Sequence, residues 1–161
     1  MVDAFGVLRR DHEKLERTLA SLEDGANAGS GADQVELIAR QRLTQQLIAD
    51  ESGHEAIEEQ QFWPVVKDQM PGGAELADEA LGQEHEANQV LGQLGTLQPW
   101  DDGFEQLLRE VIAAVREHVA FEETKVWPGL REALSAQEVS DLGDKLVQAK
   151  ENGPARPPEQ R

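Results

Sequence analysis

The sequence predicts an all-α chain, an antiparallel four-helix bundle with a short fifth C-terminal helix. Two observations predict it. Gly, Pro, Asn and Asp gather at residues 23–32, 68–73, 95–103 and 127–134, where they mark turns. The segments between, about 20–30 residues each, are too long for strands and carry apolar residues at helical steps. In the first segment Phe5, Leu8, His12, Leu15, Leu19 and Leu22 step by 3, 4, 3, 4 and 3, so they share one face, with His12 in a core slot. The second opens on Asp33 with Glu36 three residues on, the spacing of a capping box. It carries Leu43, Leu47, His54, Glu58 and Phe62 along one side. The third is weakest: Leu81 leads to His85, but Gly82, Gly92 and Gly95 lower its propensity. The fourth repeats the logic of the second through Phe104, Leu108, Val111, Val115, His118 and Glu122. A fifth helix starts at Ser135, with Glu138 as its capping partner, and runs through Val139, Leu142 and Leu146. Residues 1–150 read as one domain, and the proline-rich polar end, residues 151–161, as a disordered tail.

Composition narrows the function. The chain has 161 residues, 32 Asp or Glu against 15 Lys or Arg, and a formal charge of −17. Its basic residues are scattered, which argues against nucleic acid and against an anionic membrane surface as partners. No cysteine is present, which excludes disulfides, iron–sulfur clusters and thiolate-bound metals. No tyrosine is present either, which excludes a tyrosyl radical. The first residues lack the apolar run of a signal peptide, so the expected location is cytoplasmic. The oligomeric state is not legible.

The ends of the second and fourth helices repeat. His54-x3-Glu58-Glu59-x3-Trp63-Pro64 aligns without a gap to His118-x3-Glu122-Glu123-x3-Trp127-Pro128, a separation of 64 residues (118 − 54). Around Asp11-His12-Glu13 and Glu84-His85-Glu86 the other two helices repeat more faintly. Two helical hairpins related by a pseudo-twofold axis follow. Residues i and i+4 of a helix lie about 40° apart, so each His–Glu pair projects from one face. Glu59 and Glu123, one residue further on, point roughly 140° from their histidines and read as supporting or surface groups. The Trp-Pro pairs read as helix termination or a kink with a tryptophan packing cap.

All four histidines of the chain fall in these slots, one per helix. Burying four imidazoles and two carboxylates without a cation costs several kcal/mol per unpaired charge, so the set points to metal. One structural zinc takes only four donors. Shared between two ions, the six residues His12, His54, Glu58, His85, His118 and Glu122 leave open positions, and imidazole with carboxylate suits iron or manganese. The ferritin-like alternative needs Glu-x-x-His on two helices; only Glu51-Ser-Gly-His54 supplies it.

This pattern, H…H-x3-E…H…H-x3-E across four helices with Asp-His-Glu in the first, resembles the hemerythrin-like, or HHE cation-binding, family over about residues 3–150. The resemblance implies two iron ions bridged by oxide or hydroxide. His12 and His54 would hold one, His85 and His118 the other, with Glu58 and Glu122 bridging. Two departures stand out. The oxygen carriers of that family have a second histidine four residues after the one in the third helix, where this chain has Gln89. Gln89 is then a weak ligand, a hydrogen-bond partner for a bound ligand, or an ordinary helix residue. The carriers also place the last carboxylate five residues after its histidine, at Glu123; helix angle and the repeat favour Glu122. Glu51, one turn before His54, orients an imidazole N–H or belongs to a solvated face. The resemblance implies a protein that binds, and reacts with, O2, H2O2 or NO, with catalase-like or peroxidase-type chemistry favoured over O2 carriage. The alternative is an iron, oxygen or redox sensor acting through a protein partner.

Overall fold

The computed structural model describes residues 2–153. Every regular element among them is helical. Helix α1 (Ala4–Asp24) starts where the Asp3 carboxylate accepts from the amides of Phe5 and Gly6, an N-cap that satisfies two otherwise unpaired donors. Helix α2 (Gln34–Ile57) starts on the Asp33–Glu36 capping box and continues through one π turn (Glu58–Phe62) into α3 (Trp63–Gln69). Helix α4 (Gly73–Gly95) follows a tight turn. A Cβ on Gly73 would sit 1.8 Å from the carbonyl oxygen of Val66, so only glycine lets α4 begin so close to α3. Helix α5 (Phe104–Phe121) runs through a second π turn (Glu122–Val126) into α6 (Trp127–Ala133). Helix α7 (Ala136–Glu151) opens on the Ser135–Glu138 capping box and packs on α1.

The bars α1, α2–α3, α4 and α5–α6 form an antiparallel four-helix bundle, and α7 is the fifth helix. The direction of each bar is visible in its buried residues. One apolar cluster holds Phe5 and Leu8 of α1, Ile57 and Trp63, Ala77 and Ala80 of α4, and Val126 and Leu130. The other holds Leu15 and Leu19, Leu47, Leu91 and Leu94, and Leu108 to Val115. The chain therefore crosses from the first cluster to the second on α1 and α4, and back on α2 and α5. Between the clusters lies one layer of buried polar side chains, including His12, His54, Glu58, Glu84, His118 and Glu122.

Two expectations are corrected. Pro64 and Pro128 do not end their helices, and the turn expected at residues 127–134 is largely helix α6. Each proline lacks the amide that would bond the carbonyl four residues back. The backbone absorbs this with a π turn: the amides of Trp63 and Trp127 reach the carbonyls of Glu58 and Glu122, five residues back. Each proline then falls in the first turn of a fresh α segment, where its missing N–H has no cost. The expected disordered tail lies outside the described residues from residue 154 onward, and its first residue, Glu151, closes α7.

Candidate metal centre

Within the polar layer the donors form two groups that share one residue, and the ligating atoms in each lie within 4.8 Å of one another. The first group is His12, His54 and Glu122; the second is Glu58, Glu84, His118 and Glu122. Helix phase puts them there. Each His and its Glu four residues on face inward from α2 and α5, and His12 occupies its slot in the α1 stripe. Glu122 straddles the groups: its Oε2 is 3.2 Å from Nε2 of His12 and its Oε1 is 2.8 Å from Nε2 of His118. Glu58 reaches His54 at 2.9 Å while also belonging to the second group. The Nε2 atoms of His12 and His54 face each other at 3.2 Å. Two imidazole lone pairs aimed together are unfavourable unless a proton or a cation lies between them.

The opposite nitrogen of each ring is engaged. Nδ1–H of His12 donates to Glu123 (3.1 Å), that of His54 to Asp11 (3.0 Å) and that of His118 to Gln83 (3.0 Å). An acceptor behind Nδ1 fixes the proton there and leaves the Nε2 lone pair for the centre, the arrangement found behind metal-bound histidines. Lys150 of α7 in turn pairs with Asp11. Buried oxygens of Glu58, Glu84 and Glu122 have no hydrogen-bond donor in the protein, although buried polar groups are nearly always satisfied. A cation among them would supply what is missing, so the donors fit the metal that the sequence pattern implies.

Proton affinities reflect the same crowding. Burial opposes a charge on His54, yet Glu58 and Asp11 beside it hold its proton affinity well above that of free imidazole. Against a similar burial penalty, Glu122 and Glu84 push His118 up to about 11. Burial and the neighbouring Glu122 raise Glu58 well above the carboxylate range. Burial works against ionisation of Glu122 too, but the imidazoles of His118 and His12 beside it outweigh that, when protonated, and hold its carboxyl well below the usual range.

Five of the six residues singled out from the sequence, His12, His54, Glu58, His118 and Glu122, lie together. His85 does not. It is exposed, with its Nε2 3.3 Å from the side-chain nitrogen of Gln89 on the same surface. The reason is helix phase. The buried face of α4 is Ala77, Ala80, Glu84, Ala87, Leu91 and Leu94, stepping 3, 4, 3, 4 and 3, and His85 is about 100° off it. Glu84 takes the inward place. Its Oε1 lies 3.2 Å from Nε2 of His118 and accepts a hydrogen bond from the indole N–H of Trp63, also 3.2 Å. Gln89 is accordingly a surface helix residue.

The supporting groups also sort differently. Glu123 is 37% exposed and backs His12, whereas Glu59 is exposed. Glu51 neither orients an imidazole nor faces solvent. It is buried next to Glu55, and the Glu55 carboxylate accepts from Asn88 at 2.7 Å. Burial, Glu51 and Glu84 push Glu55 up to about 9. Sequence reasoning missed Glu84, Asp11, Gln83 and Glu55. The available signals were the alanine stripe of α4 and, in the 64-residue repeat, the pairing of Glu51 and Glu55 with Val115 and Val119. Trp127 lies flat on His12, ring centroids 5.1 Å apart and planes within 10°. A cavity of about 230 Å3, lined by Asp11, Lys14, Asp50, Gly53 and Lys150 among others, reaches His54. Another, of about 200 Å3, lies between α4 and α5 and reaches His118.

Comparison with known proteins bears on the family and the fold. The family model for the hemerythrin HHE cation binding domain matches residues 3–130. The fold is similar to the crystal structure of a hemerythrin HHE cation binding domain-containing protein from Mycobacterium kansasii. That likeness has a TM-score of 0.79 at 19% sequence identity, covering 94% of this chain and 87% of that one. None of the curated proteins matches. Among the described residues no helix is long and apolar enough to cross a membrane.

Proposed function

The chain belongs to the hemerythrin HHE cation-binding domain family, and from that premise we propose that it is a non-haem di-iron protein that binds and reacts with O2, H2O2 or NO. The observation that carries the reading is the pair of overlapping buried donor groups, His12, His54 and Glu122 with Glu58, Glu84, His118 and Glu122. The ligands proposed are those six residues, with Glu84 in the place that sequence reasoning gave to His85. Two irons bridged by oxide or hydroxide would supply the redox electrons and the open coordination positions.

The protein's own part is to hold and to dry the site. Three imidazoles and three carboxylates are too few to saturate two ions that each accept five or six donors, so positions remain for a small ligand. The Nδ1 acceptors Glu123, Asp11 and Gln83 keep each ring turned inward, while Trp127 stacked on His12 and the two apolar clusters exclude bulk water. The cavities at His54 and His118 are wide enough for a diatomic molecule or a peroxide. Every histidine in the layer has Nδ1 held by a backing group and would give Nε2 to a metal, so proton delivery falls to carboxyl groups.

Elemental analysis tests the reading: purified protein should hold about two irons per chain, and Glu58→Ala should lower that number. One zinc per chain would overturn it. Azide or peroxide titration of the oxidised protein should change its optical spectrum, and oxygen evolved from peroxide would mark an enzyme. Sensing through a protein partner is the second reading, favoured by the unsatisfied carboxylates of the polar layer. They make metal binding a contribution to folding. Loss of helicity on chelation, without turnover, would support it.

A further inference from the structure

We infer that the two halves of the centre discriminate between cations to different degrees: the side of His12 and His54 strongly favours a nitrogen-binding ion such as Fe(II), and the side of His118 and Glu84 favours it less and admits a harder, oxygen-seeking ion such as Mn(II). The inference rests on the two-metal reading above and ranks its two places by how firmly each holds iron against a competitor. Glu122, and by its position Glu58, are common to both sides. The selection therefore comes from the residues that are not shared. On one side these are two imidazoles, His12 and His54; on the other, one imidazole and one carboxylate, His118 and Glu84.

Three further features point the same way. First, His12 and His54 have carboxylates behind Nδ1, whereas His118 has the neutral amide of Gln83. A carboxylate there makes the imidazole a stronger donor, so the nitrogen-rich side is also the side with the better nitrogens. Second, Glu84 presents a buried oxygen, Oε2, with no donor from the protein, while the Trp63 N–H fixes its Oε1. Third, Glu51 and Glu55 are buried side by side, Glu55 close enough to Glu84 for the two carboxyls to repel, where the second repeat has Val115 and Val119. Glu84, Glu55 and Glu51 thus crowd the α2–α4 side, and the α5 counterparts of the last two are uncharged. Nitrogen donors prefer iron to manganese, and oxygen donors are where manganese competes.

The test uses the full chain stripped of metal and equilibrated without oxygen against a fixed concentration of Fe(II) and a rising excess of Mn(II). Retained metal is then counted by elemental analysis, and the manganese is examined by electron paramagnetic resonance. Manganese should enter one place per chain at an excess that leaves iron in the other, because iron outbinds manganese at both places but by a smaller margin where a carboxylate stands in for an imidazole. Glu84→Gln should cut manganese retention at least about tenfold, the size that losing even a supporting group produces, and leave the iron. His85→Ala should change neither. Manganese retained undiminished by Glu84→Gln, or Mn(II) entering both places at the same excess or neither at any, would overturn the inference. The second of these outcomes leaves the di-iron reading intact, whereas a chain that retains no cation overturns both. If Glu84→Gln loses its helical circular dichroism, the competition on the unaltered chain still decides.

Discussion

The two copies of His-x3-Glu-Glu-x3-Trp-Pro build the same backbone and different surroundings. Both end in a π turn ahead of the proline, and both aim a His–Glu pair into the polar layer. Outside that, they diverge. Trp63 donates to Glu84, whereas the buried indole N–H of Trp127 has no acceptor and its ring stacks on His12. His54 is backed by Asp11, itself paired with Lys150, and His118 by an amide. Where α2 buries Glu51 and Glu55, α5 buries Val115 and partly buries Val119. The repeat therefore dictates only what the backbone and the inward pair do. The difference between the halves comes from the helices that each one faces, α1 with a histidine and α4 with a glutamate.

The largest effect that probes this comparison is on packing. Phe62 and Val126 are equivalent in the repeat and both are fully buried. Phe62→Ala should cost about 3–5 kcal/mol in denaturant unfolding, and Val126→Ala clearly less because its cavity is smaller. Equal losses would show that the two π turns are packed alike after all.

Next comes the carboxyl that only the first copy buries. Glu55 is raised from 4.5 to about 9 by burial and by Glu51 and Glu84. Its folded value lies above its unfolded one, so its contribution to stability is greatest below about 4.5 and is lost as the pH rises toward about 9. The metal-free protein should therefore melt at progressively lower temperature across that window, a change of roughly a few kcal/mol. Glu55→Gln should flatten the dependence, and an unchanged slope would place its origin elsewhere.

The third effect concerns the acceptors behind the histidines. Asp11→Asn should weaken metal binding by about tenfold, as read in a chelator competition. Gln83→Glu should strengthen it by making His118 resemble His54. If Gln83→Glu weakens binding instead, extra negative charge, and not imidazole basicity, governs that side.

How much of this was legible depended on which residues carried the signal. Helices α1 and α5 announced their inward faces through Leu, Val and Phe at alternating steps, and their histidines were placed by the same phase. Helix α4 turns Ala77, Ala80 and Ala87 toward the core on either side of Glu84. Alanine occurs readily on either face of a helix, so Leu81 set the phase instead, and the reading came out one residue late, on His85 in place of Glu84. The capping boxes at Asp33 and Ser135 were visible because they depend on neighbours three residues apart. The π turns were hidden: a proline reads as a breaker unless the chain ahead of it can spare a residue, and that is decided by the packing of Trp63 and Trp127. Asp11 and Gln83 were missed because a partner across a helix interface leaves no local spacing to read.

The polar layer between the two apolar clusters amounts to a seam across the molecule. Every bar of the bundle passes through it and leaves a charged or imidazole side chain there. Each half of the core is sealed by leucine, valine and aromatic rings, but the halves meet across carboxylates that repel one another. Fastening the seam is left to whatever positive charge enters it. Proton and metal compete for that position, and the loser's departure would be felt along all four bars at once, as a parting of the molecule at mid-height.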